Sequence, residues 1–197
     1  ASLRRPGGNA TGVTLLQDAL ASKRLELLKE ALPNISRVGF VWYPDHPDNE
    51  YREAKRAAQT LGLRLHSAEV RSSDDFEAAL SRANDEGIDA IYVVSSRLTV
   101  LNLKRLVRFA TQHHLPLVGG WGAWAKEGGL FSYGPDSVAM SGRAANYIDK
   151  IFKGANPGDL PVEQPTKFEL IINLKTANAL GLNLPHSLLS RGDELVD

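Results

Sequence analysis

The sequence predicts an α/β protein, a three-layer sandwich built on a parallel sheet. Two observations carry this. Between residues 37 and 120, short apolar runs alternate with amphipathic helical segments, joined by links of only a few residues, as βαβ units require. One of those runs, DAIYVV (89–94), is apolar almost throughout, the pattern of a strand covered on both faces.

Each element follows from its own signals. RVGFVWY (37–43) is short, apolar and closed by Pro44, so it reads as a buried strand. Residues 50–61 read as a helix with Tyr51, Ala54, Ala57, Ala58 and Leu61 on one face and Gly62 as its stop. LRLHSAEV (63–70) is the second strand. Residues 74–86 form a helix with Phe76, Ala79, Leu80 and Ala83 inward, closed by Gly87. The third strand is 89–94. One long helix, 98–114, turns Leu103, Leu106, Val107 and Ala110 inward, and LPLVGG (115–120) is the fourth strand.

The flanks read differently. Residues 22–32 form a helix with Ala21, Leu25, Leu28 and Leu32 on one face, but no strand precedes it, since 1–12 is Gly-rich. LFSYG (130–134) is a short strand. Residues 137–153 form a helix with Met140, Ala144, Ile148, Ile151 and Phe152 inward. A Pro-containing link (154–165) leads to the strand FELIIN (168–173). A short helix, 174–180, follows, with Asn173 as N-cap and Gly181 as stop. Residues 184–196 read as a last helical piece. Amphipathic helices without a sheet bury little, so the flanking helices call for further sequence or for a partner.

Composition narrows the function. The 197 residues hold no cysteine and carry no formal net charge, with 43% hydrophobic and 23% charged residues. That is the profile of a globular protein with a sizeable core. Zero net charge argues against nucleic acid and gives a membrane surface no support. Without cysteine there is no disulfide scaffold, thiolate nucleophile or Cys-ligated metal. No stretch approaches the ~20 apolar residues of a membrane span, and residues 1–8 do not read as a signal peptide. The chain therefore reads as cytoplasmic, as a mature secreted form, or as a fragment that begins after a signal.

In open parallel sheets, ligands bind beyond the carboxyl ends of the strands. Four loops qualify: 42–49 (WYPDHPDN), 71–74, 95–97 and 119–124 (GGWGAW). An aromatic wall with a few polar groups is how small-molecule sites are built, which makes Trp42, Tyr43, Ser95, Ser96 and Trp121 the candidate ligand contacts. Each has a plainer reading. Trp42 and Tyr43 end a strand and fit a core, Ser95 and Ser96 fit a helix cap, and either Trp121 or Trp124 fits the wall. Arg71 and Arg97 suit a carboxylate or a solvated surface. His46 with Asp45 and Asp48 suits a metal or a solvated turn. His113 and His114 suit a helix carboxyl end. Catalytic signatures are weak: there is no Gly-x-Ser-x-Gly elbow, no phosphate loop and no dinucleotide fingerprint. No cofactor is expected.

Four segments carry a resemblance: RPGGNATG (5–12), KRLELLKEALPNISRVGFVWYPDHP (23–47), GGLFSYGPD (128–136) and PVEQPTKFELIINLKTANALGLNLP (161–185). They resemble an ABC-transporter substrate-binding family with the type I periplasmic-binding-protein fold. The resemblance implies two α/β lobes joined by hinge strands, a small ligand such as an aromatic or branched amino acid caught between them, and delivery to a membrane permease. It implies an exported protein, periplasmic or extracellular, with lipid anchoring one way of holding it at the membrane. No enzyme chemistry, metal or nucleotide is implied.

Mapped onto this chain, residues 1–36 are a partial first-lobe segment and 37–129 the second lobe. Residues 130–197 hold a crossing strand, a first-lobe helix and a C-terminal segment. The helices at 22–32 and 137–153 fall to the first lobe, and Tyr133 joins the candidate ligand residues. Where many relatives carry Asn, this chain has Tyr43, and its WGAW (121–124) is richer in Trp. Two other readings stand beside this one: a dimerising interaction module covering Leu25, Leu28, Ile148 and Phe152, and a hydrolase on the same sheet using His46 or an Asp.

Overall fold

The computed structural model describes residues 2–46 and 49–197. Among the described residues the strands form one seven-stranded sheet in the order β2-β1-β3-β4-β5-β6-β7. These are β1 (Arg37–Trp42), β2 (Arg64–Glu69), β3 (Ala90–Val93), β4 (Leu117–Gly119), β5 (Phe131–Pro135), β6 (Phe168–Asn173) and β7 (Glu194–Val196). β1 pairs parallel with β2 and β3, β3 with β4, β4 with β5, and β6 with β7. The three-layer α/β architecture is the one expected.

Two helical layers cover the sheet. On one face lie α1 (Ala21–Ala31), α2 (Glu50–Thr60), α8 (Leu174–Ala179) and α9 (His186–Leu189). They pack against Val38, Phe40, Ala90, Tyr92, Val118 and Phe131. On the other lie α3 (Asp75–Asp85), α4 (Arg97–Leu101), α5 (Leu103–Gln112) and α6 (Gly122–Lys126). There Phe76, Leu80, Leu106, Phe109 and Trp124 close over Val41, Ile91, Val93 and Leu117. Successive strand residues therefore feed opposite layers, which is why these runs are apolar at every position.

The chain forms two compact units. One, Gln17–Gly134 with Glu169–Asp197, holds the sheet and both helical layers. The other comprises Ala1–Leu16 and Pro135–Phe168 and is built around α7 (Ser137–Phe152). Within it, Val13 bridges Glu163, Arg143 pairs with Glu163 at 2.8 Å, and the Tyr147 hydroxyl donates to the Pro161 carbonyl at 2.5 Å. Asp136 caps α7, accepting from Val138 and Ala139 N–H at 3.1 and 3.0 Å.

Several expectations are corrected. Expected in the first lobe, α1 instead packs in the sheet unit. Leu25 and Leu28 are fully buried against the layer that contains Phe40 and Tyr92, so this helix has a sheet after all and its apolar face is not free to dimerise. The C-terminal residues from Glu169 onward also belong to that unit. In α7 only Met140 and Tyr147 are buried, while Ile148 is 53% and Phe152 87% exposed rather than inward. The single helix expected over 98–114 is two, broken at Asn102. The Asn102 side-chain amide donates to the Leu98 carbonyl at 2.9 Å and to Ser73 Oγ at 3.0 Å, a local bond that competes with helix continuation. GGWGAW is not all loop, because Gly122 opens α6. The last helical piece is only α9, and Glu194–Val196 adds a strand beside β6.

Candidate functional site

The carboxyl ends of β1, β3, β4 and β5 lie side by side, and the candidate residues sit on them. Their side chains have different occupations. Trp42 ends β1 on the α2 side, its ring stacked on Tyr51 with centroids 4.2 Å apart and its N–H donated to Ser67 Oγ at 2.8 Å. That is a packing role. Tyr43 is half-buried just beyond, its carbonyl accepting from His46 N–H at 3.0 Å.

Ser95 and Ser96 are buried beyond β3, and both hydroxyls are engaged in the fold. Ser95 Oγ accepts from Gly120 N–H and Trp124 Nε1–H, each at 3.2 Å. Ser96 is the N-cap of α4, its hydroxyl accepting from Thr99 N–H at 3.2 Å while Thr99 Oγ1 accepts from Ser96 N–H at 3.0 Å. This reciprocal capping box satisfies helix N–H groups that would otherwise be orphaned.

Of the two tryptophans beyond β4, Trp124 is wholly buried in the core. Trp121 is half-buried at the N-cap position of α6, with its indole N–H buried and without a hydrogen-bond partner. Tyr133 is half-buried on β5, and its carbonyl accepts from Arg24.

Behind these strand ends lies a polar network that the sequence reading missed. Arg24 of α1 is completely buried. Its Nε donates to the Tyr133 carbonyl at 2.7 Å, and its Nη1 donates to Glu50 Oε1 at 2.6 Å, to the Tyr92 hydroxyl at 3.1 Å and to the Gln17 carbonyl at 3.3 Å. Nη2 donates to Gln17 Oε1. Tyr92 in turn donates its hydroxyl to Glu50 Oε1 at 2.6 Å. Burial alone would lower the Arg24 pKa, but Tyr92 and Glu50 outweigh it and raise it, so the guanidinium stays charged. Burial, first of all, pushes the Tyr92 hydroxyl well above the ordinary tyrosine value, so it stays protonated and able to donate. The available signal was a lone Arg on the buried stripe formed by Ala21, Leu25 and Leu28. Its partners lie 26 and 68 residues away and leave no mark in local periodicity.

The backbones approach closely here. A Cβ on Gly134 would lie 1.7 Å from the Gly120 carbonyl oxygen, and one on Gly120 would lie 2.5 Å from Gln17 Oε1. Both positions need glycine because the strand ends and the network leave no room. Of the polar candidates, Arg71 pairs with Asp45 at 3.1 Å and His113 stacks on Phe109 at 4.2 Å. Asp48, the third member of the suggested metal group, lies outside the described residues.

A cavity of about 660 Å³ lies along α4, α5 and α6, lined by Leu101, Asn102, Arg105, Arg108, Ala123 and neighbours. A groove of about 520 Å³ runs beside the amino ends of β4 and β5, lined by Thr111, Lys126, Asn173, Thr176 and neighbours. Asn173 Nδ2 donates to the Ala125 carbonyl at 2.8 Å, Thr176 Oγ1 to the Gly128 carbonyl at 3.0 Å and Thr111 Oγ1 to the Val107 carbonyl at 2.9 Å. These three polar side chains already serve the fold, and ligands of open parallel sheets sit beyond the carboxyl ends of strands such as β4 and β5.

Comparison with known proteins fits this architecture. The family described as ABC transporter substrate binding protein matches residues 1–196. The chain belongs to that family. A tyrosine-binding protein of Clostridioides difficile (strain R20291) is 24% identical over 184 residues, covering 92% of this chain and 52% of that protein. The chain thus spans about half the length of this curated relative. Among solved structures, an ABC domain from Streptococcus pneumonia in complex with L-Trp is 26% identical with a TM-score of 0.88, covering 100% of this chain and 68% of that one. A conserved domain protein from Vibrio cholerae is 27% identical with a TM-score of 0.91, covering 98% and 65%. Substrate-binding proteins of ABC systems are not enzymes, and they are extracellular or periplasmic.

Proposed function

We propose that this substrate-binding chain captures an aromatic amino acid at the carboxyl ends of β1, β4 and β5 and hands it to a membrane permease. The observation that carries the reading is Trp121, a half-buried indole at a strand end whose N–H has no partner in the fold. Tyr43, just beyond β1, and Tyr133, on β5, would add further aromatic surface for a flat side chain at the strand ends. Ser95 supports Trp121 from behind by accepting from the N–H of the preceding Gly120. Two relatives support the ligand class, one named for tyrosine and one solved with L-Trp. On this reading the chain releases its ligand unchanged and has no catalytic step.

The test is calorimetric titration of the chain with L-tryptophan, L-tyrosine, L-leucine, L-lysine and L-glutamate. The reading expects an aromatic amino acid to bind at least tenfold more tightly than the charged ones. Equal affinities across the set, or no heat with either aromatic, would refute it.

A further inference from the structure

Beyond the aromatic wall, the site needs a group that recognises the part common to all amino acids. We infer that Gln17 supplies it, its side-chain amide donating an Nε2–H to the ligand's carboxylate. The inference rests on the proposed function above.

Three observations lead to it. Gln17 is more than nine-tenths buried, yet its Nε2 has no hydrogen-bond partner in the fold. Buried amide donors are almost always paired, so an unpaired one calls for an acceptor. Second, the orientation of the amide is dictated chemically. A guanidinium offers only donors, so the atom facing Arg24 Nη2 must be Oε1, and Nε2 is turned away from Arg24. Arg24 is itself immobilised by Glu50 and Tyr92, so a flipped amide would lose its bond to Nη2 and set its NH2 against a fixed donor. Third, the amide lies at the carboxyl edge of the sheet. Its Oε1 occupies the space that a Gly120 side chain would fill, immediately before Trp121, and Arg24 also holds the Tyr133 carbonyl.

The acceptor follows from the ligand class. An amino acid offers an ammonium donor and a carboxylate acceptor, and the carboxylate is the strong acceptor that tryptophan and tyrosine share. A neutral amide N–H donating to a carboxylate is a charge-assisted bond. Arg24 contributes by fixing which atom of Gln17 is turned away from it and left to bond elsewhere, so it is a positioning residue and does not itself touch ligand.

The test combines two substitutions with one signal from the unaltered chain. Gln17→Glu keeps an oxygen for Arg24 but presents a second oxygen where the donor was. It should weaken L-tryptophan by at least thirtyfold and tryptamine, which lacks the carboxylate, by less than threefold. Gln17→Met removes the amide at similar size and should weaken L-tryptophan five- to tenfold. In the unsubstituted chain, the Gln17 side-chain amide protons, assigned by through-bond NMR in that same chain, should move downfield when L-tryptophan saturates the site. This last readout decides the matter even if a variant fails to fold. L-tryptophan binding that is unchanged in both variants, with a stationary amide signal, overturns the role of Gln17 and leaves the aromatic site standing. An unsubstituted chain that binds neither L-tryptophan nor L-tyrosine overturns the aromatic reading, and the inference with it.

Discussion

At the carboxyl edge of the sheet there are several aromatic rings and buried donors, Trp121 Nε1 and Gln17 Nε2 among them, that the fold leaves unbonded. At the amino ends of β4 and β5 there is a groove of about 520 Å³ whose Asn173, Thr176 and Thr111 side chains are each bonded to nearby carbonyls. Both regions belong to the same compact unit. The groove and these two unbonded donors therefore lie at opposite ends of β4. Unfinished bonding is the better guide, because a polar group that folding leaves buried and unpaired is costly unless something else pairs it.

Four changes break or sharpen this contrast. The largest effect is expected for Arg24→Ala, which strips the carboxyl edge of its support and leaves Glu50 buried without its cation. Losing one partner of a buried pair costs on the order of 3–5 kcal/mol, so urea unfolding should show a large drop in midpoint. Trp121→Ala removes the proposed ring wall and should weaken aromatic amino acid binding by about 1–2 kcal/mol, the scale for a buried anchor. Calorimetry measures this directly, and a small change in thermal midpoint would separate it from unfolding.

The third change concerns the amino ends. Asp89, just before β3, accepts from Ser36 and Arg37 backbone N–H at 2.8 Å each. Burial works against its charge, but these bonds outweigh burial and hold its carboxyl below its ordinary value of 3.8. The stability it adds is therefore complete above pH 3.8 and is lost as the pH falls through the depressed folded value. Asp89→Asn should cost about 1 kcal/mol at neutral pH and flatten the acid limb of the stability profile, without altering ligand affinity. The smallest effect is expected for Thr111→Val in the groove. It should change stability by no more than about 0.5 kcal/mol and leave amino acid binding untouched. A marked loss of affinity would relocate the site to the groove.

The alternation between residues 37 and 120 was legible because the inner strands β1, β3 and β4 are buried on both faces and each helix buries one stripe. The four α3 residues expected inward, Phe76, Ala79, Leu80 and Ala83, are those the fold buries. The setting of the flanking helices was not legible. α1 and α7 have similar apolar stripes, yet α1 buries Leu25, Leu27 and Leu28 while α7 leaves Phe152 bare. A stripe says which side of a helix seeks cover, not what lies opposite. At the site, the sequence placed aromatic and hydroxyl residues at strand ends. It had no means of distinguishing Trp121 from Trp124, because burial separates them and burial depends on distant packing. Gln17 escaped notice for the same reason. Its amide matters only because Arg24, seven residues on, is locked to Glu50 and Tyr92 from other elements.

The most direct test of the central claim is a crystal structure of the chain grown with L-tyrosine. The account predicts ligand density beyond β4 and β5, its ring against Trp121 and its carboxylate within hydrogen-bond reach of Gln17 Nε2. Density in the groove between α5 and α8, with the carboxyl edge holding no tyrosine, would contradict it.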